Sequence, residues 1–188
     1  MIINILFRLL LTFNATSLLI IIFLVQRKYT LFYFFQHEQS LQWLSGIPQV
    51  GSYLFYFLIP VVLTKVSLVL SAALGKDEFK KGEVISVEHA NNSFLPSYLG
   101  YFFVALSINN WGALFFVYGV LFIFTFLSQA LYFNPLFLVF RYEFYNIKTK
   151  TGASIFLISP YRYKVPQDIV VPMAFRINNY TFIERKKR

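Results

Sequence analysis

What most limits the fold is the absence of charge across long apolar stretches. Gly112–Phe133 contains no charged residue, and Leu9–Val25 and Val50–Leu74 hold a single one between them, Lys65. A helix crossing a hydrocarbon core of ~30 Å needs about 20 apolar residues, each rising ~1.5 Å. Across all 188 residues, 57% are hydrophobic and 13% charged, where soluble domains carry roughly 25% charged residues. A soluble chain of this size could not hide that much apolar surface, and a water-facing surface bearing it would aggregate. The sequence therefore predicts an integral membrane protein, mainly α.

Four spans are expected, at approximately residues 2–25, 50–74, 94–108 and 112–133. Arg8 before an apolar run also describes a signal peptide, but no small-residue cleavage site follows. Gln26, Arg27 and Lys28 close the run instead, so it is read as a retained helix. Pro60 should kink the second span, Gly75 stands at its C-terminus, and Asn134-Pro135 marks the end of the fourth. Phe94–Ile108 is the shortest; it spans only if Pro96 starts the helix and the bilayer thins locally.

Charge placement gives an independent test of four spans. With both termini on one side, that side holds fourteen Lys and Arg, from Arg8, the Lys76–Ser93 loop and the tail. The other side holds Arg27 and Lys28. That asymmetry places both ends in the cytoplasm. Trp43 and Trp111 then fall in outer loops, at the headgroup level that tryptophan favours. Leu31–Phe35 and Leu41–Leu44 are too short to span and read as an outer interfacial element.

After Pro135 the pattern changes. Arg141–Lys150 and Ala153–Ser159 read as strands about a Thr151-Gly152 turn, and Met173–Ile177 with Tyr180–Glu184 as a second hairpin. The expected architecture is a four-helix transmembrane bundle over residues 1–134, followed by a small antiparallel β cytoplasmic domain over residues 135–188.

Catalytic patterns are missing from the sequence. Glycine-rich phosphate loops, nucleophile elbows and zinc-protease motifs are absent, and the topology separates His37 from His89. With no cysteine there is no thiolate metal site. No enzyme activity, cofactor or metal is expected. The informative polar residues inside the spans are Lys65 and Asn14. A charge within a span costs a few kcal/mol, so Lys65 should face protein, water or the interface. Asn14 and Thr64 are candidate partners for it; alternatively, Asn14 serves as helix–helix glue.

The tail from Asn134 holds ten Lys and Arg against three acids. Attraction to anionic lipid headgroups accounts for this charge, and direct nucleic-acid binding is not expected because no recognised module accompanies it. A docking surface for a cytosolic protein is compatible with the same charges. The candidate residues for lipid or partner docking are Lys76, Lys80, Lys81, Arg141, Lys148, Lys150, Arg162, Lys164, Arg176 and Arg185.

Two blocks are more specific. One runs Val87-Glu88-His89-Ala90-Asn91-Asn92-Ser93-Phe94-Leu95-Pro96-Ser97-Tyr98-Leu99-Gly100-Tyr101 and on to Ile108. The other combines Phe133-Asn134-Pro135-Leu136 with Arg141-Tyr142-Glu143-Phe144-Tyr145 and Ile155-Phe156-Leu157-Ile158-Ser159. With four spans and a β tail, they resemble the KwaA family, the membrane subunits of Kiwa antiphage defence systems. The resemblance implies a homo-oligomeric bacterial inner-membrane protein that senses phage infection. It would recruit and signal to a cytosolic DNA-binding effector, KwaB, through the Lys76–Ser93 loop and the tail. It brings no catalytic residues. The alternative from the residues alone is a small oligomeric membrane channel or permeabilising protein, with Lys65 and Asn14 lining the pore.

Overall fold

The computed structural model describes residues 2–93, 95–128 and 134–186. Apolar sequence becomes helix where expected: α1 (Ile2–Gln26), α3 (Gln49–Leu70), α4 (Leu95–Ser107) and α5 (Trp111–Leu127). Between the first two lie the short α2 (Leu31–Phe35) and a 3-10 segment, Gln39–Gly46. Pro60 lies inside α3 and Pro96 in the first turn of α4. Asn110 caps α5 by accepting a hydrogen bond from the Ala113 N–H at 2.8 Å, satisfying one of the orphan donors of the first turn. Residues 108–110 link α4 to α5, and both helices pack on α1 rather than closely on each other. The expected end of the fourth span, residues 129–133, lies outside the described residues.

Of these helices, α1 and the segment Gln49–Ala73 are long and apolar enough to cross a membrane; α4 and α5 are shorter apolar helices. Only 33% of the most apolar window of the second segment is buried, so its hydrophobicity is not that of a core helix. The helices alternate in direction. Arg8 donates to the Phe126 carbonyl at 3.1 Å, joining the start of α1 to the end of α5. Gln26 and Arg27 donate to the Leu106 and Ile108 carbonyls, joining the end of α1 to the end of α4. Tyr56 of α3 donates to the Tyr29 carbonyl beside the far end of α1, while Leu68 packs near Phe7 and Leu11. The arrangement is not clearly a four-helix bundle: α1 is a hub with α3, α4 and α5 packed around it.

The β region differs from the expectation of a small antiparallel C-terminal domain. Six strands form one mixed sheet: β1 (Gly75–Phe79), β2 (Val84–His89), β3 (Glu143–Thr149), β4 (Ser154–Ser159), β5 (Val171–Arg176) and β6 (Thr181–Glu184). The order is β1-β5-β6-β4-β3-β2, antiparallel except for the β4–β6 pair. Two strands thus come from the segment read as a charged loop, and the whole is mixed α/β rather than mainly α. Gly-Lys-Asp-Glu-Phe is a poor strand sequence; backbone pairing to β5 overrides its propensity.

The first two strands occupy opposite edges, yet only Lys80–Glu83 separate them. A flat sheet of six strands ~4.8 Å apart would hold its edges about 24 Å from each other. Five Cα–Cα steps of ~3.8 Å reach at most about 19 Å. The sheet therefore rolls until its edges approach. Gly82, at φ +78°, supports the turn between them.

Both faces of the rolled sheet are apolar. Its interior holds Phe79, Val84, Tyr145, Ile147, Leu157 and Phe182, contributed by both edges and the middle. The outer face carries Phe144, Phe156, Ile158, Phe175 and Ile183, which pack with Phe7 and Leu11 of α1, Leu68 of α3 and Phe137 of the short α6 (Leu136–Val139). Period-two alternation in β3 and β4 sends Phe144, Phe156 and Ile158 one way and Tyr145, Leu157 and Ile147 the other. The sheet is thereby fixed to one end of the helices through a continuous hydrophobic cluster.

Candidate functional site

Two regions carry polar groups that packing alone does not require: a seam between the helices and the charged rim of the sheet.

The seam is built on α1, α3 and the Asn134-Pro135 turn. Asn134 is buried; its amide donates to Thr64 Oγ1 at 3.0 Å and its carbonyl oxygen accepts from the Leu136 N–H at 3.0 Å. Thr64 donates in turn to the Pro60 carbonyl at 2.7 Å. Beside this chain lies a cavity of about 50 Å³, whose lining includes Asn14, Pro60, Tyr98 and Asn134. Asn14 is 1% exposed, and neither its amide nitrogen nor its oxygen has a hydrogen-bond partner. Thr64 is thus engaged by Asn134, a residue the sequence marks only as a helix end. The available signal was Asn before Pro, a pairing in which the Asn side chain commonly satisfies backbone donors two residues on.

Lys65 is exposed, and its ammonium sits 5.4 Å from the centroid of the Phe140 ring, a cation–π contact at the junction with the sheet. Lys65 and Asn14 do not share a surface: one faces outward, the other is enclosed.

On the sheet, the ten candidate docking residues fall into distinct settings. Arg176 pairs with Asp77 across β1 and β5 and lies over the Phe182 ring. Arg162 pairs with Glu143 at 2.9 Å, and Lys80 with Glu78 at 3.0 Å. Lys81, Lys148 and Lys150 are exposed and, with Lys80, stand in the Lys80–Glu83 turn or at the end of β3 beside it. The Lys150 N–H donates to the Glu83 carbonyl at 2.9 Å there, at the end of β3 remote from α6. Arg141, exposed and at φ +62°, stands at the opposite end, next to α6. Lys76 and Lys164 are exposed singly. Arg185 lies over Phe175 at 5.7 Å.

Glu143 organises the helix-side end. Tyr145 donates to it at 2.7 Å, and His89 lies 3.4 Å away. Burial alone would raise its carboxyl pKa; the hydrogen bonds from Tyr145 and Arg162 and the nearby positive charge outweigh that and hold it below the ordinary value. Burial and the bond to Glu143 push the Tyr145 hydroxyl up to about 12.

A family model described as anti-phage protein KwaA matches residues 7–183, a stretch that lacks only the start of α1 and, within the sheet, the last residue of β6. The chain belongs to the KwaA family. Its biological setting is therefore anti-phage defence. No curated protein and no solved structure matches the chain. The two blocks that carry the KwaA resemblance meet in space: His89 pairs with Tyr145 in the β2–β3 ladder, and Asn91 accepts from the Phe144 N–H at 2.8 Å. Among the described residues, no group of three His, Asp or Glu side chains is placed to hold a metal ion.

Proposed function

We propose that the chain is the membrane-embedded sensor and scaffold subunit of an anti-phage complex, recruiting a cytosolic DNA-binding effector to its rolled sheet. In this reading α1, α3, α4 and α5 all traverse the bilayer, in a bacterial inner membrane, with both termini and the sheet on the cytoplasmic side. The alternating helix directions and the exposed apolar residues of α3 and α5, among them Phe57, Leu58, Phe115 and Phe116, support it. So do Tyr29 stacked on Trp111 at 5.3 Å and the exposed Trp43, which would form the outer aromatic belt. Copies of the chain associate through helix faces of this kind.

The observation that carries the proposal is the shared hydrophobic cluster, which ties the start of α1 and the end of α3 directly to the outer face of the sheet. A shift of one helix against another must then move the sheet, because packed cores transmit displacement rather than absorb it. The lysine-rich end, Lys80, Lys81, Lys148 and Lys150, projects away from the helices and suits an acidic partner surface. Reversing two of these charges, Lys81→Glu with Lys150→Glu, should abolish co-purification of the soluble effector and leave the chain in the membrane fraction. Recovery of the effector at the unmodified level would count against this end as the docking surface.

A further inference from the structure

Where α3 meets the sheet there is a groove of about 690 Å³. Val69 and Ala72 of the last helical turns form one wall, Met173 and Phe175 of β5 another, and Arg185 and Lys186, just past β6, its charged rim. We infer that this groove binds one anionic phospholipid, with the phosphate held by Arg185 and Lys186 and an acyl chain against α3. The inference rests on the membrane reading above and names a ligand for one part of it.

Three features of the groove select that ligand. First, two adjacent cations stand at the rim, and one of them is anchored. Arg185 lies over the Phe175 ring, which anchors it at the rim, and Lys186 follows it directly in the chain at the groove's edge. Neither side chain has a carboxylate partner among the described residues. Second, the nearby acid is already committed. Glu184 also lines the groove, but it is 4% exposed and accepts from Ser159 and Tyr163, each at 2.7 Å, so its carboxylate is answered from within the sheet. Third, the apolar wall continues up the helix. Val62, Val66 and Val69 occupy one face at spacings of four and three residues and are 57%, 40% and 58% exposed. This apolar track ends at the cations where α3 gives way to the sheet. A free phosphate would use the rim and leave the track bare; a zwitterionic lipid would bring its own cation to the rim. An anionic phospholipid satisfies both, and basic pockets at the cytoplasmic ends of helices are established sites for such headgroups.

Native mass spectrometry of the full chain, extracted in mild detergent with phosphatidylglycerol or phosphatidylcholine added, tests this. One phosphatidylglycerol should be retained per protomer, phosphatidylcholine should not, and excess inorganic phosphate should not displace the lipid. Arg185→Glu with Lys186→Glu should reduce retention by at least about tenfold. Lys148→Glu with Lys150→Glu, an equal loss of charge elsewhere on the sheet, should leave it unchanged. Val69→Trp, which fills the groove from the helix side and keeps both cations, should also expel the lipid; it guards against misfolding of the double variant. Equal retention of the two lipids, equal loss in both double variants, or full retention in Val69→Trp would overturn the proposal. So would dissociation of copies of the chain by the groove variants with lipid stoichiometry unchanged, since a second copy would then be the occupant. Recovery of the chain with membranes is scored separately, so failure of the lipid site and failure of the membrane reading give different results.

Discussion

At the scale of single residues, the helical seam and the sheet solve the same problem differently. Asn134 and Glu143 are largely enclosed and answered by donors and acceptors on several elements, as buried polar groups must be. Asn14 is enclosed and unanswered. Replacing an unsatisfied buried amide with an apolar group of similar size removes its desolvation cost, so Asn14→Leu should raise stability by roughly 1–2 kcal/mol. Thermal unfolding in detergent measures it, and a drop in melting temperature would show that the amide has a role in the folded state. Glu143 gives a pH dependence of defined sign. Folding lowers its pKa, so its stabilisation is complete above the ordinary value of 4.5 and fades as pH falls from there through the lower folded value. Glu143→Gln should be less stable than the unmodified chain at pH 7, with the gap closing below about pH 4.5 when both are unfolded by denaturant across pH.

At the scale of elements, the decisive piece is the short α6. Phe137 is fully buried, 6.1 Å from the Phe144 ring and in the cluster that also holds Phe7 and Leu68. It therefore touches helices and sheet at once. Phe137→Ala should cost about 3–5 kcal/mol and loosen the sheet from the helices. Faster proteolysis of residues 141–186, with the helices still protected by detergent, is the expected signature. Intact resistance would mean that the remaining cluster suffices.

How far these elements can be read from sequence follows from how local their causes are. The helices follow from apolar runs, and α4 and α5 are delimited by Pro96 and Asn110, whose effects reach only a turn. The hairpins β3–β4 and β5–β6 follow from turn residues and alternation. Nothing local marks β1: Lys76, Asp77 and Glu78 suit a solvated loop and become strand only because β5, nearly a hundred residues later, offers a backbone ladder. The parallel β4–β6 pair has the same non-local origin. In the seam, Asn14 and Thr64 were visible as polar residues in apolar runs, but their surroundings depend on Asn134, which approaches only once α6 is placed.

At the scale of the whole molecule, the helices and the sheet share one hydrophobic junction, and the exposed surface of the helical part is apolar around α3, α4 and α5. Water does not tolerate such a surface; lipid does. The proposed membrane placement joins this surface to the anti-phage setting of the family. The most direct test is cysteine accessibility, which this cysteine-free chain allows without further substitution. Gln42→Cys and Asn109→Cys, at the helix ends away from the sheet, should react with a membrane-impermeant maleimide in spheroplasts. Lys81→Cys and Lys150→Cys, on the sheet, should react only after the membrane is opened. Equal labelling of all four in sealed spheroplasts, or recovery of the chain in the soluble fraction, would contradict the account.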